Sequence, residues 1–148
     1  MKLQSTHFSD LTADSLYSIL QLRSRVFMLE QGIICLDMDD LDRNSFHISI
    51  EEDGRILGYL RVFRSGSKAV IGRVAVDQSC RGRHFGTLLM EEGIRTAQRH
   101  FPGLPIHLHS QQQVVGFYEK LGFRTCSDMF LEEGVPHYEM VYQPVTTI

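Results

Sequence analysis

Strict alternation of apolar and polar side chains over residues 46–51 is the clearest pattern in the chain. It has the period of two that a half-buried β-strand shows. The Asp-Gly pair at 53–54 favours a tight hairpin turn, and the apolar run 56–63 predicts the returning strand. Another turn and the more apolar run 69–76 come next. The pattern therefore predicts a three-stranded antiparallel meander.

Apolar residues recur at the spacing of an α-helix in three other segments. These segments are residues 12–31, 86–98 and 112–121. Three short apolar runs predict further strands, at 106–108, 125–131 and 137–142. A strand, a helix and a strand in that order imply a parallel strand pair with a right-handed crossover. We therefore expect an α/β domain in which helices cover the faces of a mixed sheet.

The size and composition of the chain fit one domain. Its 148 residues are close to the commonest domain length and contain no repeat or linker, so we expect a single domain over 1–148. The formal net charge of −3 gives no overall attraction to nucleic acid or anionic membranes, and neither is an expected partner. No apolar run approaches the roughly 20 residues of a membrane span, and the N-terminus lacks a signal-peptide core. The three isolated cysteines are typical of a reducing compartment and indicate a cytoplasmic protein.

The segment that joins the last meander strand to the second helix carries the strongest chemical signal. We call residues 81–87 the glycine loop, because Gly82 and Gly86 lie there beside Arg81 and Arg83. Free backbone amides at a helix N-terminus carry positive partial charge, glycines let a ligand approach closely, and arginines add charge. The combination favours a phosphate or pyrophosphate site, and a glycine-rich turn with solvated arginines is the structural alternative. The loop has neither the Walker pattern nor the dinucleotide-binding glycine pattern.

Two motifs in the chain resemble a known family. The run 81–86, Arg-Gly-Arg-His-Phe-Gly, is similar to the Arg/Gln-x-x-Gly-x-Gly/Ala loop of the GCN5-related N-acetyltransferases (GNAT). The segment 116–123, Gly-Phe-Tyr-Glu-Lys-Leu-Gly-Phe, is similar to the FYxxLGF segment of that family and lies about 30 residues downstream, as the family spacing requires. Residues 25–31, the acids at 39–42 and the segment 130–137 further resemble the ElaA-like branch of small bacterial acetyltransferases.

The resemblance implies an acyl-CoA N-acyltransferase fold, whose mostly antiparallel mixed sheet splays at a central parallel pair to hold CoA, with helices on both faces. It implies direct transfer of an acetyl group from acetyl-CoA, as co-substrate, to a primary amine of a small molecule or peptide. The strand before the loop would bind the pantetheine arm, and the loop amides would bind the pyrophosphate. The residues assigned to acetyl-CoA in this way are Val74, Ala75, Val76, Arg81, Gly82, Arg83, His84, Phe85, Gly86 and Thr87. The acceptor and the oligomeric state stay open, and a homodimer is compatible with the sequence.

Two positions depart from the family pattern. The family usually has glycine where this chain has His84, so an imidazole must be accommodated beside the phosphates. Histidine tolerates unusual backbone angles better than β-branched residues do. The asparagine that many members place before the FY segment is absent, and the polar run 110–113 occupies that region. These departures motivate the alternative function, a module that binds CoA or acyl-CoA without turnover.

Transfer to an amine requires a base. A lysine-like amine with a pKa of about 10.4 is almost entirely protonated at neutral pH and must lose a proton before it attacks. Glu30 matches a family position near the acceptor cleft and is the tentative base. A water relay, or a purely structural carboxylate at a helix end, is an equal alternative. His137 and Glu139 alternate on the last predicted strand and are weaker candidates.

An acid is needed for the departing thiolate. Tyr118 lies in the FY segment, and the resemblance implies that its phenol is the general acid, which protonates or hydrogen-bonds the sulfur. Val114, Phe117 and Leu121 have the spacing of a buried helical stripe, which would turn Tyr118 towards the cofactor strands. A tyrosine that only packs at the sheet edge is the structural alternative. A backbone amide of the strand 74–76 would stabilise the oxyanion.

Other sequence features carry less chemistry. His107 and His109 alternate on a predicted strand, but no third ligand lies at a usable spacing, so no metal is expected. Cys80 has no histidine tied to it by a motif and is interpreted as a buried or incidental thiol. The acidic run 37–42 lacks the pattern of a calcium-binding EF-hand and is interpreted as a solvated loop that guards a basic acceptor.

Overall fold

A mixed sheet of eight strands lies at the centre of the structure, a computed structural model that describes residues 1–143. The strands are β1 (Lys2–His7), β2 (Phe46–Glu52), β3 (Arg55–Ser65), β4 (Lys68–Val76), β5 (Ile106–Gln111), β6 (Phe123–Thr125), β7 (Phe130–Glu132) and β8 (Val135–Tyr142). The α-helices of the same residues are α1 (Ala13–Arg23), α2 (Phe85–His100) and α3 (Val115–Lys120). A π-helical segment, Ser24–Glu30, continues α1.

The topology of the sheet matches the expected α/β architecture. Across the sheet the strands follow the order β1-β2-β3-β4-β5-β8-β6, and β7 pairs with β8. Neighbouring strands run antiparallel except β4 and β5, which run parallel and are joined through α2. One core cluster contains α1 and the π-helical segment, and a larger one contains α2 and α3. The prediction of a mixed sheet with helices on its faces is confirmed.

The predicted meander is present as β2, β3 and β4. The alternating residues of β2 pair with β3 across a hairpin whose turn residues, Asp53 and Gly54, have φ angles of 52° and 76°. Positive φ at both central positions is what a mirror-image two-residue turn requires, and it matches the twist of the flanking strands. The helix predicted over 86–98 is also confirmed, as α2.

Several predicted boundaries are wrong. The helix expected over 12–31 is α-helical only to Arg23, after which the π-helical segment begins. The strand expected over 125–131 is two short strands, β6 and β7, that pair with different parts of β8. The helix expected over 112–121 opens with a 3₁₀ turn, Gln112–Val114, before α3. The edge strand β1 has no clear apolar alternation, which is why the pattern did not predict it.

The parallel pair β4 and β5 separates after three residues. Pairing covers Ala69–Ile71 of β4 and Ile106–Leu108 of β5, and beyond it Gly72–Val76 and His109–Gln111 are not paired with each other. We call the opening between these two unpaired segments the strand gap. It confirms the splayed parallel pair that the family resemblance implies.

A β-bulge bends β4 where the strand gap opens. The partner of Tyr59 on β3 is Ala75, whereas that of Arg61 is Gly72, so two residues of β4 lie opposite one residue of β3. One of the two, Arg73, has a φ of 54°. An extra residue in one strand increases its local bend and twist, so the bulge turns β4 away from β5.

The second helix packs closely on the sheet beside the bulge. Leu89, Met90 and Ile94 are buried against strands β2 to β4. A Cβ atom placed on Gly93 would lie 3.1 Å from Leu60 Cδ1, so a larger residue would press on Leu60 and glycine favours this approach of helix to strand. Among residues 1–143, no helix combines the length and the apolar character that crossing a membrane would need.

Candidate functional site

The glycine loop lies at the carboxyl end of β4, where the N-terminus of α2 begins. It forms one wall of a cavity of about 300 Å³. The residues that line this cavity are Val76, Cys80, Arg81, Gly82, His84, Phe85, Gly86, Thr87 and Phe117. Every predicted loop residue except Arg83 therefore lies on the cavity. A Cβ atom on Gly86 would lie 3.1 Å from the Phe117 ring, so glycine lets α2 approach α3 and close the cavity on that side.

Two residues of the glycine loop have left-handed backbone conformations. Gly82 has a φ of 87°, and His84, the residue that precedes α2, has a φ of 62°. The imidazole of His84 is exposed and lies on the rim of the cavity. A side chain adds strain at positive φ, which glycine would avoid at this position.

The two arginines of the loop point in different directions. Arg81 donates hydrogen bonds to the Glu30 carboxylate and, over 3.2 Å, to the carbonyl oxygen of Val76. Arg83 instead donates to Glu52 over 2.7 Å, and its guanidinium lies 4.7 Å from the centre of the Phe85 ring. Arg81 therefore lines the cavity, whereas Arg83 does not.

Of the three strand residues assigned to the cofactor, only Val76 is among the residues that line the cavity. Val74 packs against the core cluster that contains α2, whereas Ala75 is buried in the cluster that contains α1. The two side chains point to opposite faces of β4, as successive residues of a strand do. Only the backbone of Val74 and Ala75 is left to face the strand gap.

Glu30 lies at the glycine loop and not where the strand gap opens. Its carboxylate pairs with Arg81, which itself contacts Val76 at the end of β4. At about 3.3 Å per residue, Val76 is about 13 Å along the strand from Gly72. Glu30 also borders a second cavity, of about 560 Å³, together with Arg25 and the segment 77–79. The geometry does not favour Glu30 as the base, and its assignment stays a prediction.

Tyr118 is the buried residue of α3, contrary to the predicted helical stripe. Its exposed fraction is 7%, whereas Val114 is 40% exposed, because the 3₁₀ turn at 112–114 breaks the expected helical register. The ring packs edge-on against Phe117 and Phe123. Burial raises the pKa of Tyr118 to about 12. The hydroxyl oxygen bonds to no side chain or backbone group of residues 1–143 and is not sealed from solvent, so it is free to bond a ligand.

The acidic run 37–42 is held by arginines, and the interpretation as a solvated loop is wrong. Asp42 lies 2.8 Å from Arg23, whose side chain is fully buried, and 3.0 Å from Arg61. Asp39 accepts two hydrogen bonds of 2.7 Å from Arg61. Two charge-assisted hydrogen bonds in a fork geometry are among the strongest that side chains make. Bonding to Arg61 lowers the pKa of Asp39 to about 2.

Two carboxylates of the acidic run also hold the bulge of β4. Arg73, the residue with positive φ, lies 2.9 Å from Asp37 and 3.3 Å from Asp39. Asp37 in turn lies 2.8 Å from Arg23 of α1. We call these six residues, Arg23, Asp37, Asp39, Asp42, Arg61 and Arg73, the ion-pair network. It connects α1, the acidic run, β3 and the bulged part of β4, and so fixes the side of the strand gap that β4 forms.

The other side of the strand gap carries a histidine with a carboxylate partner. His109 follows Leu108, the last residue of β5 that pairs with β4. Its Nδ1 lies 2.8 Å from Glu132 Oε1 on β7. The other Glu132 oxygen lies 3.5 Å from His137 Nε2 on β8. In the sequence, the alternation of His107 and His109 suggests only a metal-ligand role for His109. The sequence near His109 does not indicate that β7 brings a carboxylate to it, because Glu132 is 23 residues away.

A second cluster of side chains that could bind a metal lies nearby, with members on β5 and β8 and just after β6. The ligand atoms of His107, Cys126 and Glu139 all lie within 4.8 Å of one another, so the fold supplies the third group that sequence spacing did not. Glu139 already bonds to His107 over 2.8 Å and to the Lys68 ammonium over 3.0 Å. An ammonium group at the carboxylate competes with a metal cation for it, and the expectation that the protein needs no metal stays a prediction.

Comparison with known proteins gives consistent matches over most of the chain. The family model described as an acetyltransferase (GNAT) domain matches residues 34–144. The chain is 33% identical to the protein ElaA of Escherichia coli K12 over 147 residues, which cover 96% of each protein.

Solved structures show the same fold. An acyl-CoA N-acyltransferase from Pseudomonas aeruginosa is 33% identical, with a TM-score of 0.91 and coverage of 95% of this chain and 98% of that one. The crystal structure of E. coli ElaA is 32% identical, with a TM-score of 0.92 and coverage of 97% and 100%. A GNAT family acetyltransferase from Elizabethkingia anophelis with acetyl-CoA bound shares the fold at 12% identity, with a TM-score of 0.67 and coverage of 96% and 97%.

Proposed function

Because the chain belongs to the GNAT acetyltransferase family and is an acyltransferase, we propose that it transfers the acetyl group of acetyl-CoA directly to a primary amine. The acceptor in this proposal is a small molecule or a peptide. All three cysteines are free, which agrees with the further expectation of a cytoplasmic enzyme.

The observation that carries the proposal is the alignment of two features along β4. The glycine-loop cavity lies at the carboxyl end of the strand, and the strand gap opens at Gly72, about 13 Å away. Acetyl-CoA has a matching layout, with a pyrophosphate at one end of an extended arm and a thioester at the other. Unpaired backbone groups of residues 72–76 lie between the two features and can bond the amides of the arm.

The residues at the cavity fit a pyrophosphate. Arg81 lines the cavity, Phe85, Gly86 and Thr87 of the first turn of α2 line it as well, and no atom lies within 4 Å of a Cβ placed on Gly82. Helix N-termini and exposed amides bind anions because both carry positive partial charge. Acetyl-CoA supplies the activated acyl group, and the chain positions it.

The bulged segment of β4 and Tyr118 have separate roles in this proposal. Backbone amides of residues 74–76 that face the gap donate to the carbonyl oxygen as negative charge develops on it. Tyr118 donates a hydrogen bond to the departing sulfur. Its pKa of about 12 is well above the roughly 8.5 of a free thiol, so the phenol hydrogen-bonds a thiolate more readily than it gives up its proton.

The proposal is tested by two measurements on the full chain. Isothermal titration with acetyl-CoA measures binding, and release of the CoA thiol is then followed against polyamines, aminoglycosides, amino acids, and peptides with free N-termini or lysines. Thiol release that depends on one amine, with the acetylated amine found by mass spectrometry, would support the proposal. Tight binding without amine-dependent release across the panel would favour the alternative, a module that binds acyl-CoA without turnover.

Replacing Arg81 by alanine is expected to weaken acetyl-CoA binding by about 1–2 kcal/mol, or roughly 5- to 30-fold in Kd. The loss comes from one charge-assisted bond to the pyrophosphate. It stays at the lower end of the usual range because Arg81 must first leave Glu30. Arg124→Ala is the control, since Arg124 is an exposed residue of β6 away from the cavity. Unchanged affinity of the Arg81 variant would remove the glycine loop from the binding site.

Replacing His84 by glycine is expected to leave acetyl-CoA affinity unchanged or to improve it. Glycine takes the φ of 62° without strain and removes a side chain from the cavity rim. Titration with acetyl-CoA and a thermal unfolding curve check this expectation together. A tenfold loss, about 1.4 kcal/mol, with a normal melting temperature would mean that the imidazole itself contacts the phosphates.

A further inference from the structure

A histidine on β5 lies where the strand gap opens. We propose that His109, oriented by Glu132, is the general base of the reaction, an inference that rests on the proposed amine acetylation. The position, orientation and electrostatic setting of the imidazole each support it.

The position of His109 follows from the sheet register. Leu108 forms the last rung of the parallel pair with Ile71, so His109 is the first residue of β5 at the strand gap. On the opposite strand the gap begins at Gly72, next to the bulge. Leu108 and Ser110 are buried towards the core that contains α2, and His109 points from the other face of the sheet. Because the His109 side chain is 47% exposed on this face, an amine that meets a thioester in the gap can reach it from there.

The imidazole is held with one nitrogen free. Nδ1 lies 2.8 Å from Glu132 Oε1, and the ring packs edge-on against Phe130 at a centroid distance of 5.0 Å. No side chain or backbone group of residues 1–143 bonds to Nε2, and the side chain is 47% exposed. A carboxylate at one imidazole nitrogen favours the tautomer with its proton on that nitrogen. The lone pair of His109 Nε2 is then available to an incoming ammonium group.

The surrounding charges suit a base that works near neutral pH. The hydrogen bond to Glu132 raises the pKa of His109 above its usual 6.5, against the opposing effect of burial. His109 and Glu132, on β7, are surrounded by four other charged or titratable groups. These are His137 and Glu139 on β8, and Lys68 and Arg73 on β4. A base is most effective when its pKa is close to the working pH, because it is then both unprotonated and basic.

The proton transfers balance for an ammonium acceptor. As the N–C bond forms and the C–S bond breaks, the acceptor nitrogen loses two protons. One passes to His109 Nε2 and then to solvent, while Glu132 stabilises the imidazolium. The other ends on the departing sulfur. Glu139, by contrast, is already bonded to His107 and Lys68.

The test compares three variants of the full chain in the thiol-release assay, with the pH dependence of kcat/KM as the main measurement. His109→Gln should lower kcat/KM about 100-fold and abolish its rise with pH through the His109 pKa, while the Kd for acetyl-CoA stays unchanged. Glu132→Gln should shift that rise to lower pH, because loss of the carboxylate lowers the His109 pKa. His107→Gln, on the same strand and face, is the control and should stay within about twofold of the wild type.

The outcomes separate this inference from the function on which it rests. Absence of amine-dependent thiol release in the wild type would overturn the proposed function and the base together. If His109→Gln keeps the kcat/KM of the wild type and the same rise with pH, the assignment of His109 as the base is overturned, and the proposed function is not. An equal loss in His107→Gln would also overturn it, since it would indicate a general effect of changing β5.

Discussion

Replacing Asp42 by alanine is expected to lower the free energy of unfolding by about 3–5 kcal/mol. The Asp42 carboxylate lies between two buried guanidinium groups, 2.8 Å from Arg23 and 3.0 Å from Arg61. The Arg23 side chain has no exposed surface, and that of Arg61 is 4% exposed. Removing one member of a buried ionic cluster leaves its partners desolvated without full compensation, which is more destabilising than the loss of a surface pair.

Urea unfolding followed by circular dichroism measures this effect. Asp40→Asn is the matched control, because Asp40 belongs to the same acidic run but its side chain is 95% exposed. Asparagine also tolerates the left-handed backbone of that position, so the control should lose no more than about 0.5 kcal/mol. A loss below about 1 kcal/mol for Asp42→Ala would mean that water replaces the carboxylate and that the network is not a buried one.

Replacing Tyr118 by phenylalanine is expected to reduce kcat at least tenfold, or about 1.4 kcal/mol in the activation barrier, with little change in acetyl-CoA affinity or melting temperature. Stability should be retained because the ring contacts with Phe117 and Phe123 remain, and the hydroxyl bonds to no other group of residues 1–143. Turnover should fall because the departing sulfur loses its hydrogen-bond donor.

Single-turnover thiol release measures the chemical step for this comparison. Tyr142→Phe is the control, since Tyr142 also packs against Phe123, with ring centroids 5.2 Å apart. If both variants keep kcat within about twofold of the wild type, a change of about 0.4 kcal/mol, Tyr118 does not act on the sulfur. It would then only fill the core beside α3.

The features that the sequence predicts well are those with local causes. The meander follows from alternation and from the turn at Asp53 and Gly54, and α2 follows from helical spacing next to a glycine-rich loop. The cavity at that loop needs only the chain order of strand, loop and helix. The fold class and the position of the glycine loop could therefore be deduced without coordinates.

The features that the sequence does not predict depend on distant partners. Asp42 becomes buried because Arg23 and Arg61, each 19 residues away, meet it in space. Hydrophobic patterning assigns all such charged residues to the surface. The pair of His109 and Glu132 likewise requires β5 and β7 to be brought together by β8, and three short strands with weak alternation do not specify that register.

The strand gap exposes two strand edges in the interior of the sheet, one on β4 and one on β5. Gly72–Val76 and His109–Gln111 each bond to an outer neighbour but leave their facing backbone groups without ladder partners among residues 1–143. Exposed edges recruit foreign strands and promote aggregation, and a bulge is one of the devices that discourage this. Because the bulge makes the opening a wedge, a straight peptide cannot pair with both sides along its length. A flexible arm that carries its own amides can bond to one side, so the shape that suits the proposed substrate also excludes a ninth strand.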